Sequence, residues 1–338
     1  MKTVTRLFLL FFISENLILF TGCGSSRQLQ TDAIVWPAPP DDPRVQYIST
    51  LRGEEDFSIG LSNVLDVIAG SEGKSGLVRP YDVCVDDFGR IYVTDVAQGV
   101  FVFDTLQKKS YVLGEKSSIS LRDTRGIAYG FEKIFIGLAD AGQVAVLDTG
   151  GTLLYTIGRQ GQFSNPVDIA VDKVKHKVFV VDNTEHRIVV FSESGDSLFS
   201  LGKRGLGEGE FNFPQSIAID NASNIYVVDA FNFRIEIFDS TMKYVKSFGQ
   251  QGDIFGTFSR PKGIALDTYN NIYVLDANHN NFQIFNNSAE LLLFVGKFSS
   301  ANDGFQSPVS IAISENNTIF VTDQVNKRVQ IFQLLKGN

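Results

Sequence analysis

Histidine, cysteine and tryptophan are scarce in this chain of 338 residues, which has three, two and one of them. Two cysteines far apart in sequence build neither a disulfide scaffold nor a four-ligand zinc module. Three histidines, His176, His186 and His279, give little material for a hydrolytic metal centre, and neither a Gly-x-Ser-x-Gly elbow nor a Cys-His pair is present. Basic runs are missing as well. Lys and Arg number 30 against 38 Asp and Glu, a formal net charge of −8. Affinity for polyanions rests on cations that neutralise phosphates, so nucleic acid is excluded as the main partner. What the chain does have is 43% apolar residues, 29 Phe and 30 Gly, the composition of a packed globular protein.

The first residues read as an address. Lys2 and Arg6 precede the apolar run Leu7 to Ile13, followed by Ser14-Glu15-Asn16, Leu17 to Phe20 and Thr21-Gly22-Cys23. The apolar part is too short and interrupted for a spanning helix. The arrangement resembles a bacterial lipoprotein signal peptide, with two departures: Phe20 stands where Leu is usual, and Glu15 interrupts the apolar region. An uncleaved anchor and an ordinary secretory signal are the alternatives. The resemblance implies a signal over residues 1–22, lipidation of Cys23 and a cell-envelope location, with Gly24 after the cysteine favouring the outer membrane. Residues 23–43 contain the stretch Trp36-Pro37-Ala38-Pro39-Pro40 and read as a semi-rigid tether.

From residue 44 to 334 one unit recurs six times. Its first segment appears as Tyr81-Asp82-Val83-Cys84-Val85-Asp86, Arg125-Gly126-Ile127-Ala128-Tyr129-Gly130, Val167-Asp168-Ile169-Ala170-Val171-Asp172, Gln215-Ser216-Ile217-Ala218-Ile219-Asp220, Lys262-Gly263-Ile264-Ala265-Leu266-Asp267 and Val309-Ser310-Ile311-Ala312-Ile313-Ser314. A proline precedes five of them: Pro80, Pro166, Pro214, Pro261 and Pro308. A polar turn and a second apolar run follow, such as Ile225-Tyr226-Val227; a third run is Arg234-Ile235-Glu236-Ile237-Phe238, and a fourth ends at glycine, as in Tyr244-Val245-Lys246-Ser247-Phe248-Gly249. Short β-branched and aromatic runs between Gly, Asn, Asp and Ser clusters are strands. Four antiparallel strands repeated six times predict an all-β fold, a six-bladed β-propeller.

The unit is similar to the NHL repeat, with Val181-Asp182-Asn183-Thr184-Glu185-His186-Arg187-Ile188-Val189-Val190-Phe191 the closest copy. Blade two departs most, lacking the proline and carrying Gly130 for the turn Asp. The resemblance is specific for fold and weak for function, because such propellers host lyases, lactonases, sensors and docking surfaces. The last unit supplies only three strands before the chain stops, whereas residues 44–53 match the fourth-strand pattern. Pairing first with last closes the ring. Residues 57–70 have near-helical apolar spacing, predicting a short helix packed on the propeller, with a membrane-dipping or partner helix as the alternative.

Asp95, Asp182, Asp229, Asp276 and Asp323 recur at one place in the repeat, which reads as structural bonding to backbone N–H groups. Residues that differ between blades are the better binding candidates. On the face formed by the loops leading into strands one and three these are Arg79, Arg125, Arg260 and Lys262 near the channel mouth, with Asp82 and Asp168 beside them and His186, Phe231, Phe233 and His279 further out. Arginines around a concave mouth suit an anionic or polar ligand. Asp82 and Asp168, nearest the axis, could hold calcium weakly but make no zinc hydrolase; no cofactor is expected. The sequence therefore predicts a lipid-anchored, non-catalytic envelope module, monomeric in its propeller, that binds a protein or small polar ligand. A metal-dependent lyase or lactonase with its active site at the channel mouth is the alternative.

Overall fold

The computed structural model describes residues 33–57, 76–113 and 119–335. Residues 1–22, expected to be a signal, Cys23 and most of the 57–70 segment lie outside the described residues; Phe57 itself closes a short 3-10 helix, Glu54–Phe57. Six antiparallel sheets form the blades. Their innermost strands are Pro80–Val85, Thr124–Gly130, Pro166–Asp172, Pro214–Ile219, Pro261–Leu266 and Pro308–Ile313, for blades one to six. Each packs beside the next, and the sixth beside the first, so the ring is closed around a central channel. Blade one is completed by Arg90–Asp95, Gly99–Asp104 and Lys109–Val112, and blades two to five repeat that order. Among the described residues no helix is long and apolar enough to cross a membrane.

Closure happens in blade six. Val45–Leu51 lies beside Arg328–Leu334 as its fourth strand, with Val45 opposite Leu334 and Leu51 opposite Val329. A fifth strand, Val35–Trp36, pairs outside it, and the Trp36 indole meets the Phe332 ring edge-on at 5.7 Å. Part of the stretch read as a tether is therefore a strand of the propeller, and the outer edge of Val45–Leu51 is covered by it.

The core is six layers, not one centre. Each of six clusters of buried side chains fills one gap between neighbouring blades, for example Tyr92 and Val102 of blade one against Ile134 and Ala145 of blade two, or Leu51 and Phe320 of blade six against Val83 and Phe101 of blade one. This explains the near-continuous apolar second and third strands, which are buried on both faces.

Candidate functional site at the channel mouth

The repeated aspartates act first on backbone. Asp95 Oδ2 accepts the Val78 and Arg79 N–H groups at 2.7 and 2.8 Å, and Asp276 Oδ2 accepts those of Ser259 and Arg260 at 2.7 and 3.0 Å. Asp182, Asp229 and Asp323 do the same for Asn165, Asn212 and Gln306. A carboxylate at the end of strand two thus pins the loop that leads into strand one, and two of the pinned residues are Arg79 and Arg260.

A second device sets the next ring inward. In every blade the register of strands one and two shifts just after the start of strand one, between Pro80 and Asp82, Thr124 and Ile127, Pro166 and Asp168, Pro214 and Ser216, Pro261 and Ile264, and Pro308 and Ser310. Such bulges re-aim a side chain out of the pleat. Within them lie Tyr81, Arg125, Val167, Gln215, Lys262 and Val309, which all line one cavity of about 280 Å³ at the mouth. Arg79 and Arg260 line it as well.

Four cations and no carboxylate line that cavity. Arg125 pairs with Asp123 at 3.0 Å outside it and lies over the Tyr81 ring, 5.3 Å from its centroid. Lys262 Nζ donates to Gln215 Oε1 at 2.7 Å. Burial, then the Arg260 and Arg125 charges, pull the Lys262 ammonium down to about 8. Arg125 belongs to blade two and Lys262 to blade five, opposite members of the ring, so their mutual repulsion acts across the axis.

Beneath the mouth the channel narrows to a waist where Asp82, Asp168, Ser216 and Ser310 converge. Asp82 accepts from Ile127 N at 2.7 Å, Val83 N at 2.8 Å and Ser310 Oγ. Asp168 accepts from Ile217 N at 2.8 Å and Ile169 N at 2.7 Å, and Ser216 Oγ accepts from Ile264 N at 3.2 Å. Each therefore ties one blade to its neighbour. Burial raises the Asp82 carboxyl to about 6. Burial and then the Asp82 charge push Asp168 up too. Gly126 occupies the same ring because a Cβ there would lie 2.5 Å from the Asp168 Cα. Among the described residues no three His, Cys, Asp or Glu side chains converge as a metal site would require.

A family described as a 6-bladed beta-propeller matches residues 161–247, and the NHL repeat matches residues 305–332. The chain is an NHL-repeat six-bladed β-propeller. No curated protein sequence matches it. Among solved structures the propeller is similar to a protein of unknown function from Bacteroides thetaiotaomicron (14% identity, TM-score 0.61, covering 86% of this chain and 75% of that one). It is also similar to an auxiliary nutrient binding protein from the same organism (15%, 0.59, 76% and 69%). A third is a catalytically inactive virginiamycin B lyase from Staphylococcus aureus with quinupristin (15%, 0.56, 76% and 80%). Identities this low show a shared fold.

Within the propeller the candidates read from sequence separate into three groups. Arg79, Arg125, Arg260 and Lys262 come together at the mouth, and Asp82 and Asp168 form the waist below. The outer four lie away from this lining. His186 is buried, and its Nδ1 accepts the Phe213 N–H at 3.0 Å; it is a link between blades three and four and presents no free nitrogen on that side. Phe233 holds a left-handed turn, φ 54°, at the position His186 occupies in blade three. His279 lies 3.8 Å from Asp276. Phe231 is exposed and packs edge-on against Phe213 at 5.1 Å. Tyr81 and Gln215 were not singled out from the sequence, yet they share the bulge position of Arg125 and Lys262; comparing that one column across the six units would have found them.

Proposed function

We propose that this protein is a lipid-anchored envelope module that binds, without catalysis, a small anionic ligand or an acidic protein segment at the propeller mouth. One observation carries the reading: an acidic chain gathers Arg79, Arg125, Arg260 and Lys262 around a cavity of about 280 Å³ whose lining has no acid. Cations facing one another across an axis repel until an anion sits between them, and fixed arginine forks favour carboxylate or phosphate. Asp95 and Asp276 hold the backbone of two of these residues, so much of the arrangement is formed before a ligand arrives.

The lyase or lactonase alternative needs a cation at the waist. Asp82 and Asp168 fit that role poorly, because their oxygens already accept interblade hydrogen bonds, burial favours their neutral forms, and four positive side chains lie above them. Titration of the purified protein with succinate and inorganic phosphate, followed calorimetrically, tests the binding reading. Arg125→Ala and Arg260→Ala should each weaken the bound anion by roughly tenfold or more, the scale of a charge-assisted hydrogen bond. Unchanged affinity in both variants, or no binding of either anion, would defeat it. Cys23→Ser should move the protein out of the membrane fraction if the lipid reading is right.

A further inference from the structure

Three consecutive blades fold the loop leading into strand one alike, and two of them tie it with an arginine. In blades four, five and six the N–H groups of Gly205, Gly252 and Ser299 donate to the carbonyls of Phe211, Phe258 and Phe305 at 3.1, 3.1 and 3.0 Å. The N–H groups of those phenylalanines donate in turn to Lys203, Gln250 and Lys297. In blade four Arg234 Nε donates to Asp229 Oδ2 at 2.9 Å, and its Nη atoms donate to the carbonyls of Leu206, Gly207 and Glu210 at 3.1, 2.8 and 2.9 Å. Arg328 of blade six repeats this with Asp323 at 2.7 Å and the carbonyls of Ser300, Ala301 and Gly304 at 3.1, 2.7 and 2.9 Å. One planar fork of five donors thus serves a buried carboxylate and three loop carbonyls together.

Blade five keeps the acceptors and has no arginine at this position. Asn281 lies opposite Asp276 as Arg234 lies opposite Asp229. It is 4% exposed, and its Oδ1 has no hydrogen-bond partner among the described residues. His279 stands where blades four and six have Asn232 and Asn326, whose amides donate to the aspartate at 2.6 and 2.7 Å. Its Nδ1 is 3.8 Å from Asp276, and its buried Nε2 is also without a partner. The loop carbonyls in register with those of blades four and six are Asp253, Ile254 and Thr257. Ile254 O is taken by the Thr257 hydroxyl at 2.5 Å. Thr257 O accepts from Gln283, just as Gly304 O accepts from Gln330 while still holding Arg328, so that bond does not close the site. A buried polar atom left unpaired costs about 1–3 kcal/mol. Two of them beside a buried carboxylate and two carbonyls call for a cation rich in N–H groups. The position borders solvent, since the Arg234 side chain is 15% exposed in blade four and Asp253 and Ile254 are exposed in blade five.

We propose that the corner formed by Asp276, His279, Asn281 and the 252–257 loop binds a guanidinium group from outside the propeller, carried by a small guanidino compound or by an arginine side chain of a partner protein. The site takes the charge opposite to that bound at the mouth, so either reading can fail without the other. Only three histidines are present, so the imidazole C–H resonances of the purified full-length protein form a sparse spectrum, and His279→Gln assigns the one that matters. Methylguanidinium, added at constant ionic strength, should shift the His279 signal saturably with a dissociation constant of about 10 mM or below. Methylammonium, lacking the fork, should bind at least about fivefold more weakly. Asn281→Arg places the chain's own guanidinium in the corner and should abolish the shift, while Asn281→Asp should tighten binding by about fivefold, the gain of a charge-assisted bond over a neutral one. No saturable shift at His279, an equal response to methylammonium, or a shift retained in Asn281→Arg overturns the proposal. Should Asn281→Arg fail to fold, unchanged or weaker binding in Asn281→Asp overturns it by itself. A Gly-Arg-Gly amide run beside methylguanidinium separates the sources: binding of both assigns a partner's arginine, and binding of methylguanidinium alone assigns a small compound.

Discussion

Single side chains decide the chemistry of the mouth, and their protonation makes it measurable. Lys262, held down to about 8 by burial and by Arg260 and Arg125, loses its charge within reach of neutral pH. An anion between these groups favours the charged amine, so ligand binding takes up a proton. Anion affinity should fall as pH rises from about 7 to 9, by up to tenfold per unit, and Lys262→Met should flatten the profile; a calorimetric pH series checks both. Glu236, on the third strand of blade four, is fully buried and is raised to about 7 by that burial, against the pull of Arg234. Its folded value lies above its unfolded one, so the stability tied to its neutral form is complete below about 4.5 and is lost as pH rises through about 7. Blades five and six carry Gln283 and Gln330 at this position, and Gln283 Oε1 accepts Gly256 N as Glu236 Oε2 accepts Gly209 N. Glu236→Gln should therefore stabilise the protein by on the order of 2 kcal/mol at pH 8 and by little at pH 4; urea midpoints at the two pH values are the measurement.

At the scale of elements, the closing strand and the inner bulges matter most. Removal of residues 1–53 takes Val45–Leu51 from blade six and uncovers Val329, Ile331 and Phe332. Its thermal midpoint should fall by roughly 10 °C or more, as expected for a loss of several kcal/mol in a domain of this size, whereas removal of residues 1–32 should leave it unchanged; scanning calorimetry compares the two. The inner ring offers a sharper contrast. A Cβ at Gly126 would meet the Asp168 backbone at 2.5 Å, whereas one at Gly263 would stand 3.0 Å from Ile311 N. Gly126→Ala should cost several kcal/mol and Gly263→Ala distinctly less, read as denaturant midpoints. Strand existence and closure were legible because short β-branched and aromatic runs, proline and the turn residues are local signals. The fifth strand, Val35–Trp36, was not. Prolines follow it directly, and only pairing with Val45 and the Phe332 ring makes it a strand.

Taken as a whole molecule, the propeller has two unlike ends: a concave mouth lined by four cations, and the face of the turns after strands one and three, where Arg44 bonds to Trp36 and Leu335. The sequence by itself determined the six-fold repeat, the all-β ring, its N-to-C closure and the structural duty of the repeated aspartates, since each follows from spacings within one unit copied along the chain. It also separated the varying residues Arg79, Arg125, Arg260 and Lys262 from the repeating ones. Tertiary structure alone decided which of the varying residues meet. Arg125 and Lys262 lie 137 positions apart, and they face each other only because the ring closes and blades two and five stand opposite. The bulge at each inner strand turns Tyr81 and Gln215 into the same cavity against the simple alternation of a strand. His186, which resembled a ligand-facing residue in the linear pattern, is taken up by the Phe213 N–H of the next blade. Local sequence carries the period of the strands; the direction in which a side chain points across a closed ring is set by every blade together.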